Sequence, residues 1–331
     1  SVAEKDPIKY HGVKANINSN GKLIKKSKNV EAPSFQDVFG HLSCEIASHR
    51  KDVVCITAAM REGTGLVPYE KSYPDRYYDV GIAEGHGITF AAGLATQGIK
   101  PIVAIYSTFL QRAFDHIVHD VAIQNLPVIF CMDRAGIAGE DGPTHHGALD
   151  IAYLRCIQGM TLAAPKNGNE FRKLLYTALD HNGPFGIRYP KCTSFEFDKK
   201  GQAELIPIGS WEVEKKGDDI VILAIGPMVY SALDVASKLE KYGYSCEVVN
   251  CRFIKPMDIG YLEGIIKNFD KIVTIEEGVL SGGFGDGVSS WILENGFKGK
   301  IKRIGLPDDY VQHGSRSQIF KHIGLDTDSI T

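Results

Sequence analysis

A carboxylate stands at the start of a glycine-rich helix, directly after a short strand. In the stretch Arg76-Tyr-Tyr-Asp-Val-Gly-Ile-Ala-Glu84-Gly-His86-Gly, small residues end the strand and Glu84 opens the helix. Because α/β proteins bind ligands outside the carboxyl ends of their strands, Glu84 is a candidate ligand-binding group. The helix macrodipole also favours a carboxylate in the first turn when no ligand is involved. The local pattern alone favours this structural role for Glu84, and an ordinary helical role for His86.

A second polar stretch, Tyr106-Ser-Thr-Phe109-Leu-Gln-Arg112, again follows a strand. An exposed Phe109 could stack on a flat heterocycle, and Arg112 could donate paired hydrogen bonds to a carboxylate or phosphate. The alternative is a helix start in which Ser107 or Thr108 is the N-cap and Phe109 lies in the core. Taken alone, the stretch favours this alternative.

The segment 133–147 is dense in polar residues and follows a third strand. It holds four glycines, a proline, three acidic residues, Arg134 and two adjacent histidines. Such a loop is more often a binding site than a packing element. His145 and His146 lack the spacing of metal ligands on a common face, so no metal site is predicted. Arg188, at the end of a later strand, is a candidate second anion contact, with a surface ion pair as the alternative.

The elements that must position these residues alternate along the chain. Short apolar runs predict strands at 53–57, 101–106, 127–132 and 185–189, and then at 219–225, 246–250 and 271–275. Amphipathic stretches between them predict helices at about 34–46, 84–98, 109–124, 168–181, 229–242 and 284–294. This alternation predicts an α/β fold of two doubly wound parallel-sheet domains.

Composition shifts divide the chain into four predicted segments. Residues 1–32 are rich in lysine and read as an extended arm or linker, and 196–210 form a polar linker. Between and after them lie a larger domain at 33–195 and a smaller one at 211–331.

The overall composition is that of a soluble globular protein. Apolar residues make up 44% and charged residues 23% of 331, which excludes a disordered or fibrous chain. The net charge of −3 gives no reason to expect a nucleic-acid or membrane partner. No apolar run approaches the roughly 18 residues of a membrane span. Seven cysteines without a Cys-x-x-Cys pair predict reduced thiols and a cytoplasmic protein.

Five motifs together resemble those of the 1-deoxy-D-xylulose-5-phosphate synthase family. They are Asp79-Val-Gly-Ile-Ala-Glu84, Tyr106-Ser-Thr-Phe-Leu-Gln-Arg112, His119-Asp-Val-Ala-Ile-Gln, Asp133-Arg-Ala-Gly and Thr144-His-His-Gly. The resemblance implies a transketolase-like pyrimidine-binding domain at 33–195 and a transketolase C-terminal-like domain at 211–331. The family's N-terminal domain, which binds diphosphate and magnesium, lies outside the resemblance.

The resemblance also implies an activity and its partners. The family condenses pyruvate with D-glyceraldehyde 3-phosphate, giving 1-deoxy-D-xylulose 5-phosphate and CO2, with thiamine diphosphate and Mg2+. This chain would hold the aminopyrimidine, and it is expected to be inactive without the diphosphate-binding domain, on the same polypeptide or a second chain. A dimer is expected. Glu84 matches the glutamate that hydrogen-bonds N1′ of the pyrimidine, Phe109 the aromatic residue that stacks on it, and Arg112 a neighbouring pocket residue.

The remaining matched residues face the substrates in the family. Arg134 and Arg188 match arginines that hold phosphate, and Tyr106 matches a pocket tyrosine. Asp141 and His145 match polar residues for which proton transfer is a reasonable role.

A glycine-rich stretch in the predicted second domain contains part of a cofactor-binding motif. Gly285-Asp286-Gly287 is the sequence that begins the magnesium and diphosphate motif of thiamine-diphosphate enzymes. That motif needs an asparagine about 25–30 residues downstream to complete an oxygen-rich magnesium shell. The only later asparagine is Asn295, so these glycines are expected to permit tight helix packing instead.

Two other interpretations remain at this stage. The β subunit of a 2-oxoacid dehydrogenase has a similar length and also lacks the diphosphate motif, but the Tyr106–Arg112 and Asp133-Arg-Ala-Gly motifs speak against it. A non-catalytic module of the same fold is the other, and the presence of Glu84 disfavours it.

Overall fold

The computed structural model describes Glu4 and residues 32–331, so the arm predicted for 1–32 lies almost wholly outside the described residues. The strands of the described part are β1 (Val53–Thr57), β2 (Tyr77–Asp79), β3 (Lys100–Tyr106), β4 (Ile129–Asp133), β5 (Thr161–Ala163), β6 (Phe185–Arg188), β7 (Glu212–Lys215), β8 (Ile220–Ala224), β9 (Cys246–Asn250), β10 (Phe253–Lys255), β11 (Lys271–Val279) and β12 (Lys300–Leu306). The apolar runs predicted as strands all form strands, with ends shifted by up to four residues.

The α-helices of the described part are α1 (Phe35–His49), α2 (Val67–Ser72), α3 (Glu84–Ala95), α4 (Ser107–Leu110), α5 (Phe114–His116), α6 (Asp150–Arg155), α7 (Gly168–Asp180), α8 (Met228–Leu239), α9 (Ile259–Asn268), α10 (Phe284–Glu294), α11 (Arg316–Ile323) and α12 (Thr327–Ile330). Ser34 caps α1 through a capping box with Asp37, as its side chain predicts. The helix predicted at 109–124 is broken into α4, a 3₁₀ turn, α5 and a π-helical segment at Ile117–Ala122. Such π segments are frequent at functional sites.

The strands form two sheets, as the alternating pattern predicts. The first has the order β10-β5-β6-β4-β3-β1-β2, and the second β12-β11-β8-β9-β7. All pairings are parallel except those of two edge strands, β10 with β5 and β7 with β9. The prediction of two α/β domains is therefore confirmed, with an antiparallel edge on each sheet.

The two sheets are joined more closely than a simple linker implies. β10 follows the second-domain strand β9 in the chain but pairs with β5 of the first sheet. One core cluster packs residues of both sheets together, among them Phe130, Leu223 and Phe284. A second cluster lies on the other face of the first sheet, where α1 and α7 pack through Phe39 and Phe171. The first sheet is thus covered on both faces, which explains its β-branched strands.

The cysteines and the helices bear on two further expectations. All seven cysteines, each within the described part, are free, as the sequence predicts. Of the helices in residues 32–331, none combines the length and apolar character needed to cross a bilayer.

Candidate active site

The predicted site residues lie where β3 and β4 end side by side. Tyr106, the last residue of β3, is the register partner of Asp133, the last residue of β4. α4 begins immediately after Tyr106, and Arg134 follows Asp133 in the chain. The carboxyl ends of these two central strands therefore deliver both polar stretches to one edge of the sheet.

Glu84 is a buried carboxylate at the N-terminus of α3. Its side chain is 2% exposed, and Oε1 accepts a hydrogen bond from Arg112 Nη1 at 2.6 Å. The Arg112 side chain is 56% exposed, so the pair lies at the floor of an open site. Within the described residues, no hydrogen bond uses Glu84 Oε2. That oxygen is available to a ring N–H of a ligand.

Aromatic rings form the wall beside this pair. Phe109 is half-buried and stacks on Tyr106, with ring centroids 5.8 Å apart. The His145 ring meets Phe109 edge-on at 5.4 Å, and Arg112 lies 5.0 Å from the Phe109 centroid. The structure therefore brings Glu84, Arg112, Phe109, Tyr106 and His145 into one continuous group. The alternative for this stretch requires Phe109 to lie in the core, but Phe109 is only half-buried.

Arg134 extends this group on the far side of Tyr106. Its guanidinium carbon lies 3.8 Å above the Tyr106 ring, and Nη1 donates to the carbonyl of Gly63 at 2.7 Å. Gly63 has to be small, because a Cβ there would lie 1.6 Å from the Tyr106 hydroxyl. Burial raises the pKa of Tyr106 to about 12, although the charge of Arg134 opposes this rise. Tyr106 therefore stays a neutral phenol that supports the arginine.

Asp141 is paired with a cation that the sequence did not single out. Lys191 Nζ donates to Asp141 Oδ2, and both side chains are about one-third exposed. Burial acts to raise the pKa of Asp141, but the hydrogen bond and charge of Lys191, with Arg134 and His145 nearby, hold it below its usual range. Lys191 lies three residues after Arg188, and the polar stretch around both residues is the sequence signal that could have identified Lys191.

Arg188 does not join this group. Its side chain is 5% exposed; Nε donates to Asp150 Oδ2 at 2.9 Å and Nη2 to the carbonyl of Glu277 at 2.9 Å. It is neither the surface ion pair nor an open anion contact, because Asp150 and the β11 backbone enclose it. The exposed cation at the end of this strand is Lys191.

The two glycines that follow Glu84 in α3 make room for neighbours. A Cβ on Gly85 would lie 2.6 Å from the ring of His116, and one on Gly87 3.2 Å from Val80. His116 follows Arg112 by one helical turn, so Gly85 lets the arginine-bearing segment approach the start of α3.

The Gly285-Asp286-Gly287 sequence binds a carboxylate of the chain itself. Glu276 is fully buried, and its two oxygens accept from the backbone N–H groups of Phe284 and Gly285 at 2.8 and 2.7 Å. This internal carboxylate occupies the N-terminus of α10, where a phosphate would otherwise be favoured. A Cβ on Gly285 would lie 2.4 Å from Thr274 Oγ1 and one on Gly287 1.9 Å from the Arg155 guanidinium, so these glycines permit close packing, as the sequence predicts.

The site fits the pyrimidine end of a cofactor better than its diphosphate end. A buried carboxylate with one unused oxygen, beside a half-buried phenylalanine, matches a flat ring that carries an N–H donor. Within residues 32–331, no cluster of three His, Cys, Asp or Glu side chains could hold a metal ion. The described residues thus supply groups for an aminopyrimidine, but no such cluster for a magnesium ion.

Fold and site together define an α/β cofactor-binding protein whose ligand lies at the carboxyl edge of a parallel sheet. Comparison with known families identifies it further. Residues 31–194 match the transketolase pyrimidine-binding domain, and residues 209–330 match the transketolase C-terminal domain. The chain belongs to the transketolase family. This match and the relatives below imply thiamine diphosphate, with Mg2+, as the cofactor.

Curated relatives carry the name 1-deoxy-D-xylulose-5-phosphate synthase. The proteins of Aquifex aeolicus and Chromobacterium violaceum are each 46% identical over 99% of this chain, which spans 52% of either relative. The chain thus covers about half their length and aligns with their C-terminal half. Among solved structures, a split-gene transketolase in an inactive β4 tetramer aligns with a TM-score of 0.79 and 26% identity, covering 90% of this chain and 96% of that one. Campylobacter jejuni transketolase, at 16% identity and a TM-score of 0.75, shares the fold over 99% of this chain and 50% of its own.

Proposed function

We propose that this chain is the aminopyrimidine-binding half of a 1-deoxy-D-xylulose-5-phosphate synthase, which joins pyruvate to D-glyceraldehyde 3-phosphate with loss of CO2. The observation that carries the proposal is the buried Glu84, paired with Arg112 through one oxygen and free at the other. The relatives named above are synthases and not 2-oxoacid dehydrogenase β subunits, which supports this choice among the enzyme interpretations.

The proposed roles on the cofactor side follow from the geometry. When bound, thiamine diphosphate supplies the electron sink that allows a 2-oxoacid to lose CO2 and add to an aldehyde. Glu84 Oε2 shares a proton with N1′ of the pyrimidine, while Arg112 fixes the carboxylate through Oε1. Phe109 provides the surface on which the ring stacks. These roles need a dry carboxylate, which the burial of Glu84 supplies.

The proposed roles on the substrate side fall to Arg134, Lys191, Asp141 and His145. Arg134 and Lys191 are the cations that meet the acceptor phosphate; the Lys191 side chain is 31% exposed and pairs with Asp141. His145, against Phe109, is placed for proton transfer to the substrate oxygens. Arg188 keeps a supporting role, because it is enclosed.

We also propose that a diphosphate-binding domain completes the site, on the same polypeptide or on a second chain, within a dimer. Large apolar side chains two residues from each member of the Glu84–Arg112 pair are exposed, Ile82 at 80% and Phe114 at 36%. Such exposure beside a site is typical of an interface. The split-gene transketolase described as an inactive β4 tetramer supports a chain of this extent being inactive alone. The free cysteines favour a cytoplasmic location.

Reconstitution tests the proposal. The chain would be co-expressed with the first half of the Aquifex aeolicus relative and supplied with thiamine diphosphate, Mg2+, pyruvate and D-glyceraldehyde 3-phosphate. We expect 1-deoxy-D-xylulose 5-phosphate and an equivalent of CO2 from the pair, and neither from the chain alone. Calorimetry that shows tight, magnesium-dependent cofactor binding to the chain alone would contradict the half-site. An assembled pair that binds cofactor and releases no CO2 from pyruvate would contradict the function.

A further inference from the structure

A buried carboxylate that the proposed mechanism does not use lies beneath Arg134. Asp133 ends β4 and is 1% exposed. Its Oδ1 lies 3.3 Å from Arg134 Nη1, whereas Oδ2 has no hydrogen-bond partner among the described residues. Because a buried carboxylate is costly unless it is paired, its place at the edge of the site calls for a role.

Arg134 is held from several directions. Its φ of +59° lies in the left-handed region, which costs a non-glycine residue about 1–2 kcal/mol. The next residue, Ala135, donates to the carbonyl of Tyr189 at 3.0 Å, which anchors the strained turn. This turn directs the arginine side chain back over the Tyr106 ring, 3.8 Å away. The fold thus fixes the direction in which the Arg134 side chain leaves the backbone.

The Arg134 side chain is 10% exposed, and its hydrogen bonds within the described residues leave two guanidinium nitrogens without a partner. Nη1 is shared between Asp133 Oδ1 at 3.3 Å and the carbonyl of Gly63 at 2.7 Å. Within the described residues, no hydrogen bond uses Nε or Nη2 of Arg134. Those two nitrogens form the side-on pair that binds phosphate oxygens in a bidentate manner.

We propose that Asp133 is a positioning residue that orients the Arg134 guanidinium toward the acceptor's phosphate, and so sets the preference for a phosphorylated aldehyde. The inference rests on the proposed function and concerns the same site. It does not make Asp133 a catalytic residue, because its carboxylate reaches the substrate only through Arg134.

The charge of Asp133 is expected to change near neutral pH. Burial raises the pKa of Asp133 to about 7, while Arg134 and Lys191 oppose the rise. The charged and titratable groups that interact with it are Arg134, Lys191, Tyr106, Tyr189, Cys131 and Cys192. Only the ionised carboxylate attracts the guanidinium fully, so selection of the phosphorylated acceptor should strengthen from pH 6 to pH 8.

The test compares two acceptors in the reconstituted enzyme, D-glyceraldehyde 3-phosphate and D-glyceraldehyde. Asp133→Asn should raise KM for the phosphorylated acceptor by about tenfold to a hundredfold, the scale of one weakened hydrogen bond to a charged group. The KM for pyruvate and kcat/KM for D-glyceraldehyde should stay within about twofold, a split that a general loss of structure would not give. Tyr189→Phe is the matched control, since it removes a buried hydroxyl without a partner in the described residues, and it should leave the ratio of the two acceptors unchanged.

A second measurement covers the case in which Asp133→Asn fails to fold. The same ratio is followed in the wild-type enzyme from pH 6 to pH 8.5, corrected for the measured ionisation of the substrate phosphate. A ratio that does not change with pH overturns the inference, as does an unchanged ratio in a folded Asp133→Asn enzyme, and both leave the proposed function standing. A wild-type pair that makes no product from either acceptor overturns the function and the inference together.

Discussion

Gly136 should tolerate no side chain, because its position fixes the loop that carries Asp141 and His145. Its φ is +78°, and a Cβ would lie 2.4 Å from the carboxyl carbon of Glu277. That carboxylate accepts from the Ile137 backbone N–H at 2.6 Å and pairs through both oxygens with Arg316. This carboxylate is therefore one of the points that bind the loop to the second domain, together with the hydrogen bond from Arg316 to the carbonyl of Ile137.

The size of the effect of Gly136→Ala follows from two separate contributions. Left-handed backbone costs alanine about 1–2 kcal/mol relative to glycine. Overpacking of a buried position adds about 1–3 kcal/mol. We expect the free energy of unfolding to fall by about 2–5 kcal/mol, the sum of these ranges. Urea unfolding of the full chain, followed by circular dichroism and by the fluorescence of Trp211 and Trp291, measures it.

A matched control separates the two contributions. Gly159 has a φ of +72° and no heavy atom within 4 Å of a built Cβ. Gly159→Ala should therefore lose only the backbone part, about 1–2 kcal/mol. If the free energy of unfolding falls by the same amount in both variants, the clash between a side chain at position 136 and Glu277 does not contribute to the loss. As a second check, Gly136→Ala combined with Glu277→Ala should lose less than the sum of the single variants, because the smaller side chain removes the clash.

Three further outcomes are expected. In the reconstituted enzyme, Glu84→Gln should lower kcat by a factor of about 10²–10⁴ with little change in substrate KM, because glutamine keeps a hydrogen bond but cannot share a proton. Steady-state kinetics that find a near wild-type kcat would refute the role of Glu84. Lys191→Met should raise KM for D-glyceraldehyde 3-phosphate by at least about tenfold and leave KM for pyruvate unchanged. An equal rise in KM for both substrates would show that Lys191 does not bind the phosphate. Burial raises the pKa of Glu276 to about 7, although hydrogen bonds from two backbone N–H groups oppose the rise. The contribution of this pKa shift to the free energy of unfolding is therefore greatest below about pH 4.5 and is lost as the pH rises toward 7. Glu276→Gln should flatten the pH dependence of the unfolding free energy across that window, and equally steep curves for both proteins would count against the shift.

The part of the site that sequence could predict is the part that strand ends determine. A polar stretch that follows a buried strand has to emerge at the carboxyl edge of a parallel sheet. Tyr106 ends β3, Phe109 and Arg112 come after it, and Arg134 follows β4, so all four emerge at the same edge of the sheet. The local pattern alone favoured structural roles for Glu84 and Phe109, and only the family resemblance gave them roles in a site. The break of the predicted helix at 109–124 into short segments was not predicted, because helical periodicity does not reveal a π-helical turn.

Contacts between the two domains lay beyond such reasoning. Arg188 ends a strand as Arg134 does, yet the second domain packs over it and its guanidinium meets Asp150 and the Glu277 carbonyl. Whether an arginine at a strand end meets a ligand or is enclosed depends on what covers that strand. The Arg188 guanidinium is bound by Asp150 and the β11 backbone, whereas the hydrogen bonds of Arg134 within the described residues involve only Nη1, and this difference underlies the different roles proposed for them. Glu277, whose backbone carbonyl accepts the hydrogen bond from Arg188, lies 89 residues further along the chain, and no local pattern connects the two.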